Sequence, residues 1–232
     1  MGQTITLYHG TDARLVDMSK DERAIFFAMV DRVISRLWDV YKPYYTERVY
    51  KEKLLPNREK ILIERRRFDL LKDVFVQCDK EVIYNTLSEK LNMLECRYNG
   101  SGYYQYGGLY LAAVKESAEG YARRSYAGGE LGNICYWMIR GMDILRLPEW
   151  KPDDETKGEI AQLMAFASEE KRDPVVITIE NVDSDELLAE SGSNAAMFFD
   201  LLDKTGHILD FKFRFKGELD LSAYPMEHLK KS

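Results

Sequence analysis

Gln105-Tyr106-Gly107-Gly108-Leu109-Tyr110-Leu111-Ala112-Ala113-Val114-Lys115-Glu116-Ser117-Ala118-Glu119-Gly120-Tyr121-Ala122 is the stretch on which the reading of the whole chain turns. Two glycines lead into a short apolar run that ends in small residues, and a helix-forming stretch follows. Tyr110 stands on the strand side of this corner and Tyr121 within the helix. A strand-to-helix corner of this kind presents two aromatic faces to one cleft, and a flat heteroaromatic ring fits between them. Its partner is N-terminal: Thr4-Ile5-Thr6-Leu7-Tyr8-His9-Gly10-Thr11, an alternating run that predicts a strand over 4–8 and ends on His-Gly-Thr.

The 232 residues suffice for one well-buried domain with an insertion, or for two small ones. Hydrophobic residues at 45% and charged residues at 31% describe an ordinary globular chain and exclude a disordered one. No apolar run approaches the ~20 residues of a membrane helix, and the N-terminus lacks a basic region followed by an apolar core. The expectation is a cytoplasmic protein with no membrane contact. Cys78, Cys96 and Cys135 form no C-x-x-C pair, and three scattered histidines make no zinc pattern, so buried thiols and no metal are expected. A net charge of −6 argues against general adhesion to polyanions.

Ser19-Lys20-Asp21-Glu22 reads as a capping box that opens a helix burying Ile25, Phe26, Met29, Val33 and Leu37, stopped near Tyr41 by Pro43. A second helix is predicted over 44–55, a third from Asn57 to about Val76, and a fourth after Asp79 with Val82, Ile83, Leu87, Leu91 and Leu94 on one face. Residues 19–98 thus read as a helical insertion. Residues 42–67 carry nine Lys or Arg against four Glu, a local charge of +5, with Tyr44, Tyr45 and Tyr50 among them. Interleaved Glu and Arg favour a solvated helix face; Arg65, Arg66 and Arg67 are the candidates if that surface meets nucleic acid. Beyond Gly100-Ser101-Gly102, a glycine-rich turn at 127–132 precedes a predicted strand over 133–139, extended over 143–147. Pro152-Asp153 leads into a helix with Ile160, Leu163, Met164 and Phe166 inward. Pro174–Ile179 predicts a strand, 190–194 a turn, Met197–Phe199 a buried strand, and Ile208–Phe215 a strand with Phe211, Phe213 and Phe215 on one side. The tail from Gly217 is expected to fray.

Leu7-Tyr8-His9-Gly10-Thr11 and Gly108-Leu109-Tyr110-Leu111-Ala112, with Tyr121 following, resemble the first two motifs of the ADP-ribosyltransferase superfamily in its poly(ADP-ribose) polymerase and diphtheria toxin-like branch. The resemblance covers roughly residues 3–18 and 100–216 and leaves the insertion outside it. It implies an α+β fold, a single domain over 1–232 with a split β-sheet core and a helical insertion at about 19–98. It implies transfer of ADP-ribose from NAD to a macromolecule, protein or nucleic acid, by an intracellular toxin or phage-defence effector, with an antitoxin as a neutralising partner. On this likeness His9 binds the adenosine ribose, the Gly10 backbone holds the carboxamide beside Thr11, and Tyr110 and Tyr121 wall the nicotinamide. Ser117 is the hydroxyl for the carboxamide, displaced by one through the extra residue at Glu119 or Gly120.

The bond from nicotinamide to ribose breaks as positive charge develops on the sugar, which a carboxylate steadies. Ser193-Asn194-Ala195-Ala196-Met197-Phe198-Phe199-Asp200 resembles the family's third motif, and there the carboxylate position is Ala195. Three accounts stand: a Glu or Gln exchanged for alanine to disarm a protein that poisons its producer, which we favour; Glu218 as the true third residue; or a fold that binds a nucleotide without turnover. Rival functions are a non-catalytic module for NAD or ADP-ribose, an NAD glycohydrolase, and a phosphotransferase on RNA 2′-phosphates for which Arg123 and Arg124 are the candidate cleft arginines.

Overall fold

The computed structural model describes residues 4–52, 61–99, 108–124, 126, 129–168, 170–189, 195, 198–200, 204 and 211–230, with backbone alone for 46–52, 61–67 and 99. The chain begins with strand β1 (Thr4–Asp12), helix α1 (Ala13–Asp17) and the long helix α2 (Lys20–Tyr41). Ser19 opens α2 with both capping-box bonds in place, its hydroxyl accepting from the Glu22 N–H while the Glu22 carboxylate accepts from the Ser19 N–H. Strands β2 (Thr46–Glu52) and β3 (Ile61–Arg67) then pair with each other, ahead of α3 (Asp69–Gln77) and α4 (Glu81–Asn99). The glycine corner supplies β4 (Tyr110–Ala112) and α5 (Lys115–Arg124), followed by α6 (Glu130–Leu145) and α7 (Asp154–Phe166). Strands β5 (Pro174–Asp183), β6 (Leu187–Ala189), β7 (Lys212–Phe215) and β8 (Met226–His228) complete the order.

The architecture is α+β. One open antiparallel sheet runs β6-β7-β4-β1-β5-β8, so the two strands read as motif carriers, β1 and β4, are neighbours. Its two faces do different work, because side chains alternate along each strand. Leu7, Leu111, Ile177, Ile179 and Phe213 form an apolar core on one face. Tyr8, Ala112 and Val176 face α5, whose Ala118 and Ala122 complete a smaller cluster. A second core belongs to the helices: Val30, Val33, Ile34 and Leu37 of α2, Leu87, Leu91 and Leu94 of α4, and Ile134, Met138 and Met142 of α6. The helical unit therefore recruits α6 and α7 from beyond the 19–98 insertion.

Several expectations are corrected. Within the helices read over 44–55 and from Asn57, the described stretches Thr46–Glu52 and Ile61–Arg67 are strands, forming a two-stranded ladder that aligns Glu47 with Arg66 and Arg48 with Arg65; residues 53–60 lie outside the described residues. Alternating Glu and Arg serve cross-strand pairs as well as helical ones, and Ile61-Leu62-Ile63 supplies the β-favouring bulk. The segments 133–139 and 143–145 lie in α6, which ends before Arg146, since Ile134, Met138, Ile139, Met142 and Leu145 recur at helical spacing and all bury against the helical core. Phe198–Asp200 take helical conformation and Phe199 is buried, so the strand read over 197–199 is absent from its described part. Over its described part, 217–230, the tail packs rather than frays: Met226–His228 pair with β5, and Leu221 and Leu229 are buried. Ile25 and Val82 were assigned inward and are 69% and 79% exposed. The breaks at 100–102, the turn at 190–194 and residues 208–210 lie outside the described residues, as do Gln105, Tyr106, Gly107, Ser193, Asn194, Ala196 and Met197.

Among the described residues no helix is long and apolar enough to cross a membrane.

Candidate functional site

A cleft of about 1540 Å³ opens between the sheet and the helical unit. Its sheet wall is built from Tyr8–Thr11 of β1, Gly108–Ala112 leading into β4, and Lys212 of β7, with Ala118 and Tyr121 of α5 beside them. The opposite wall comes from the α1–α2 junction and from Arg23, Phe27 and Asp31 on α2, Arg97 on α4 and Gly129–Leu131 at the start of α6. Gly129 has φ of 90°, a conformation that suits glycine and turns the chain sharply into α6. Residues 217–222 form the rim.

His9 and Tyr110 lie on the adjacent strands β1 and β4, and the His9 Nδ1 stands 2.9 Å from the Tyr110 carbonyl oxygen. A carbonyl only accepts, so Nδ1 carries the proton and a neutral ring leaves Nε2 as an acceptor. Burial pushes the imidazole below its ordinary value, outweighing the carbonyl bond that raises it. The site thus holds an uncharged imidazole whose Nε2 can accept a hydrogen bond.

The sign of the linkage follows. A histidine depressed in the folded state contributes stability that is complete above the unfolded value of about 6.5 and is lost as pH falls through the folded value. His228 acts oppositely: its bond and charge interaction with Asp173 at 2.9 Å raise it, so its contribution is lost as pH rises through the folded value. In the His228→Gln background, urea midpoints are expected to fall as pH drops from 7 to 5, and His9→Gln is expected to flatten that slope. An unchanged slope in the double variant contradicts a neutral, half-buried His9.

Gly10 and Thr11 also line the cleft. An added Cβ at Gly10 would stand 1.9 Å from the Ala118 carbonyl oxygen, so the helix carrying Tyr121 occupies the space that glycine leaves. The close approach read from this glycine is therefore satisfied at least on one side by α5. Ser117 sits in the first turn of α5 and is not among the cleft residues.

Of the two positions read for the carboxylate, Glu218 is on the cleft rim, exposed and 2.8 Å from Lys20; that ion pair holds its carboxyl below the usual range. Ala195 is 0% exposed inside the apolar core with Leu7, Leu111, Phe199 and Phe213, and the structure does not bring it to the cleft. Arg123 donates to the Lys230 carbonyl at 2.7 Å, and neither it nor Arg124 lines the cleft. Arg65, Arg66 and Arg67 lie on β3, and their side chains are outside the described residues.

Sequence reasoning missed the helical wall altogether. Arg23, Phe27, Arg97 and Lys212 reach the cleft through tertiary packing. Only Lys212 left a signal: the alternation that turns Phe211, Phe213 and Phe215 to the core puts Lys212 on the other face, level with Ala112. Among the described residues no group of three or more His, Cys, Asp or Glu could hold a metal ion. No family model, curated protein or solved structure matches the chain.

Proposed function

We propose that the chain is an NAD-dependent ADP-ribosyltransferase, its sheet a variant of the split core of that superfamily and its acceptor a protein or nucleic acid. One observation carries the reading. His9 and Tyr110, 101 positions apart, meet on neighbouring strands, and Tyr121 on the next helix lines the same cleft. Three residues chosen for their resemblance to one coenzyme site converge on one space, which packing alone does not require.

The division of labour follows from the chemistry. The two phenol rings would stack the nicotinamide, the His9 Nε2 would accept from a ribose hydroxyl, and the Gly10 backbone in the cleft would hold the carboxamide. Glu218 on the rim, the alternative third position read from the sequence, would be the carboxylate that steadies developing charge on the sugar, once Lys20 releases it. On this reading the protein acts in the cytoplasm as a toxin or phage-defence effector, held in check by an antitoxin.

Tyr121→Ala and Tyr110→Ala are each expected to weaken NAD binding by about 10- to 100-fold, since removing one stacking partner costs on that order. Calorimetry on the two variants measures it; NAD affinity unchanged in both sinks the reading. Incubation with labelled NAD and separate protein, RNA and DNA pools then tests transfer. Label in one pool together with free nicotinamide supports it, whereas nicotinamide without a labelled acceptor marks a glycohydrolase.

A second reading, a module that binds NAD or ADP-ribose without turnover, is favoured by the state of the third position. Ala195 carries no carboxylate and is enclosed in the core, while Glu218 is engaged by Lys20. NAD binding without nicotinamide release selects it.

A further inference from the structure

Ser19, Arg23, Phe27 and Asp31 recur every four residues from the N-cap of α2 and all line the cleft, while Val30, Val33, Ile34 and Leu37 of the same helix belong to the helical core. Two of the four are engaged: Ser19 caps the helix, and Asp31 pairs with Arg97 at 2.9 Å. Arg23 and Phe27 are not. Among the described residues no hydrogen bond or ion pair holds the Arg23 guanidinium, whereas Lys20 on the same wall is held by Glu218. The charge of Arg23 reaches Asp220 on the rim, but that carboxylate is bonded to the Ser222 hydroxyl and N–H at 2.6 and 3.1 Å. Phe27 is half-buried and yet joins none of the apolar clusters of the described residues; its ring contact among them is Phe26, edge-on at 5.6 Å. A ring outside the core and an unpaired planar cation, one helical turn apart in a cleft, match the two demands of a nucleotide. An aromatic face stacks a base, and the guanidinium fork meets phosphate oxygens.

We infer that α2 forms an ADP subsite on the wall opposite the nicotinamide slot, with Phe27 stacking the adenine and Arg23 taking the diphosphate. This rests on the dinucleotide reading above and deepens it, because the two tyrosines account for one end of the coenzyme only. At about 1540 Å³ the cleft exceeds the roughly 300–1,000 Å³ of ordinary small-molecule sites, so both ends of a dinucleotide fit between its walls. The helical unit, which the motif resemblance leaves out, then supplies half of the coenzyme site.

The test is calorimetry on the full chain with ADP, which carries the base and the diphosphate and no nicotinamide. Arg23→Gln removes the charge and Phe27→Leu removes the ring; each is expected to weaken ADP about tenfold. Phe27→Tyr keeps a stacking face and should stay within about threefold of the parent. Losses in the first two variants, with Phe27→Tyr near the parent, support the inference. ADP affinity unchanged in either of the first two, or lost equally in Phe27→Tyr, overturns it, as does a parent that binds NAD and not ADP. In those cases NAD affinity that still falls in Tyr110→Ala and Tyr121→Ala leaves the dinucleotide reading standing. Tyrosine variants that keep NAD affinity, while Arg23→Gln and Phe27→Leu lose ADP, remove the nicotinamide slot and leave the ADP subsite. A parent that binds neither NAD nor ADP removes both.

Discussion

Ala195→Glu is expected to destabilise the protein by about 3–5 kcal/mol and to leave nicotinamide release unraised. The residue is 0% exposed in a cluster with Leu7, Leu111, Phe199 and Phe213, and the Phe198 N–H already donates to its carbonyl at 2.9 Å. A carboxylate set there loses its water and gains no cationic partner among those apolar neighbours, the situation in which a buried charge costs most. Burial would also raise the introduced carboxyl above its unfolded value of about 4.3, so the penalty should shrink as pH falls toward that value. Urea unfolding at pH 7 and pH 4.5, with nicotinamide release measured alongside, reads both effects. A stable variant that releases nicotinamide faster than the parent would vindicate the register in which Ala195 replaces a catalytic glutamate. A destabilised and silent variant leaves Glu218 as the carboxylate to test, with Glu218→Gln expected to abolish any turnover the parent has.

Gly10→Ala is expected to cost about 3 kcal/mol, seen as a lower urea midpoint at unchanged slope. The new Cβ would stand 1.9 Å from the Ala118 oxygen and 2.7 Å from its carbon, both backbone atoms of α5, so the helix must lift from the sheet. Because α5 carries Tyr121, NAD affinity should fall with it. Gly158 provides the control: in α7 an added Cβ meets nothing within 4 Å, and Gly158→Ala should stabilise by about 0.5–1 kcal/mol. A stability loss at Gly10 no greater than that at an exposed position would show that α5 does not seat on β1 as described.

Residue types and spacing determined a good deal of this protein. The capping box at Ser19, the strands at Thr4 and Pro174, and the corner from Tyr110 into the helix of Tyr121 are each encoded by neighbours within a few positions, so they are legible in the chain itself. His9, Tyr110 and Tyr121 were singled out from local patterns of the same kind, and all three line one cleft. Only tertiary structure decided the rest. Ile134–Ile139 have strand-like composition and become helix because α2 and α4 offer a groove that buries one face of α6. The tail is kept in place by pairing with β5, a partner roughly fifty residues upstream that no local pattern reveals. Ala195 shows the limit most sharply: a register along the chain points it at a coenzyme, while the packing of Phe199 and Phe213 encloses it. Local signals act through the backbone of a few adjacent residues; burial depends on which distant surfaces meet, and that is a property of the folded whole.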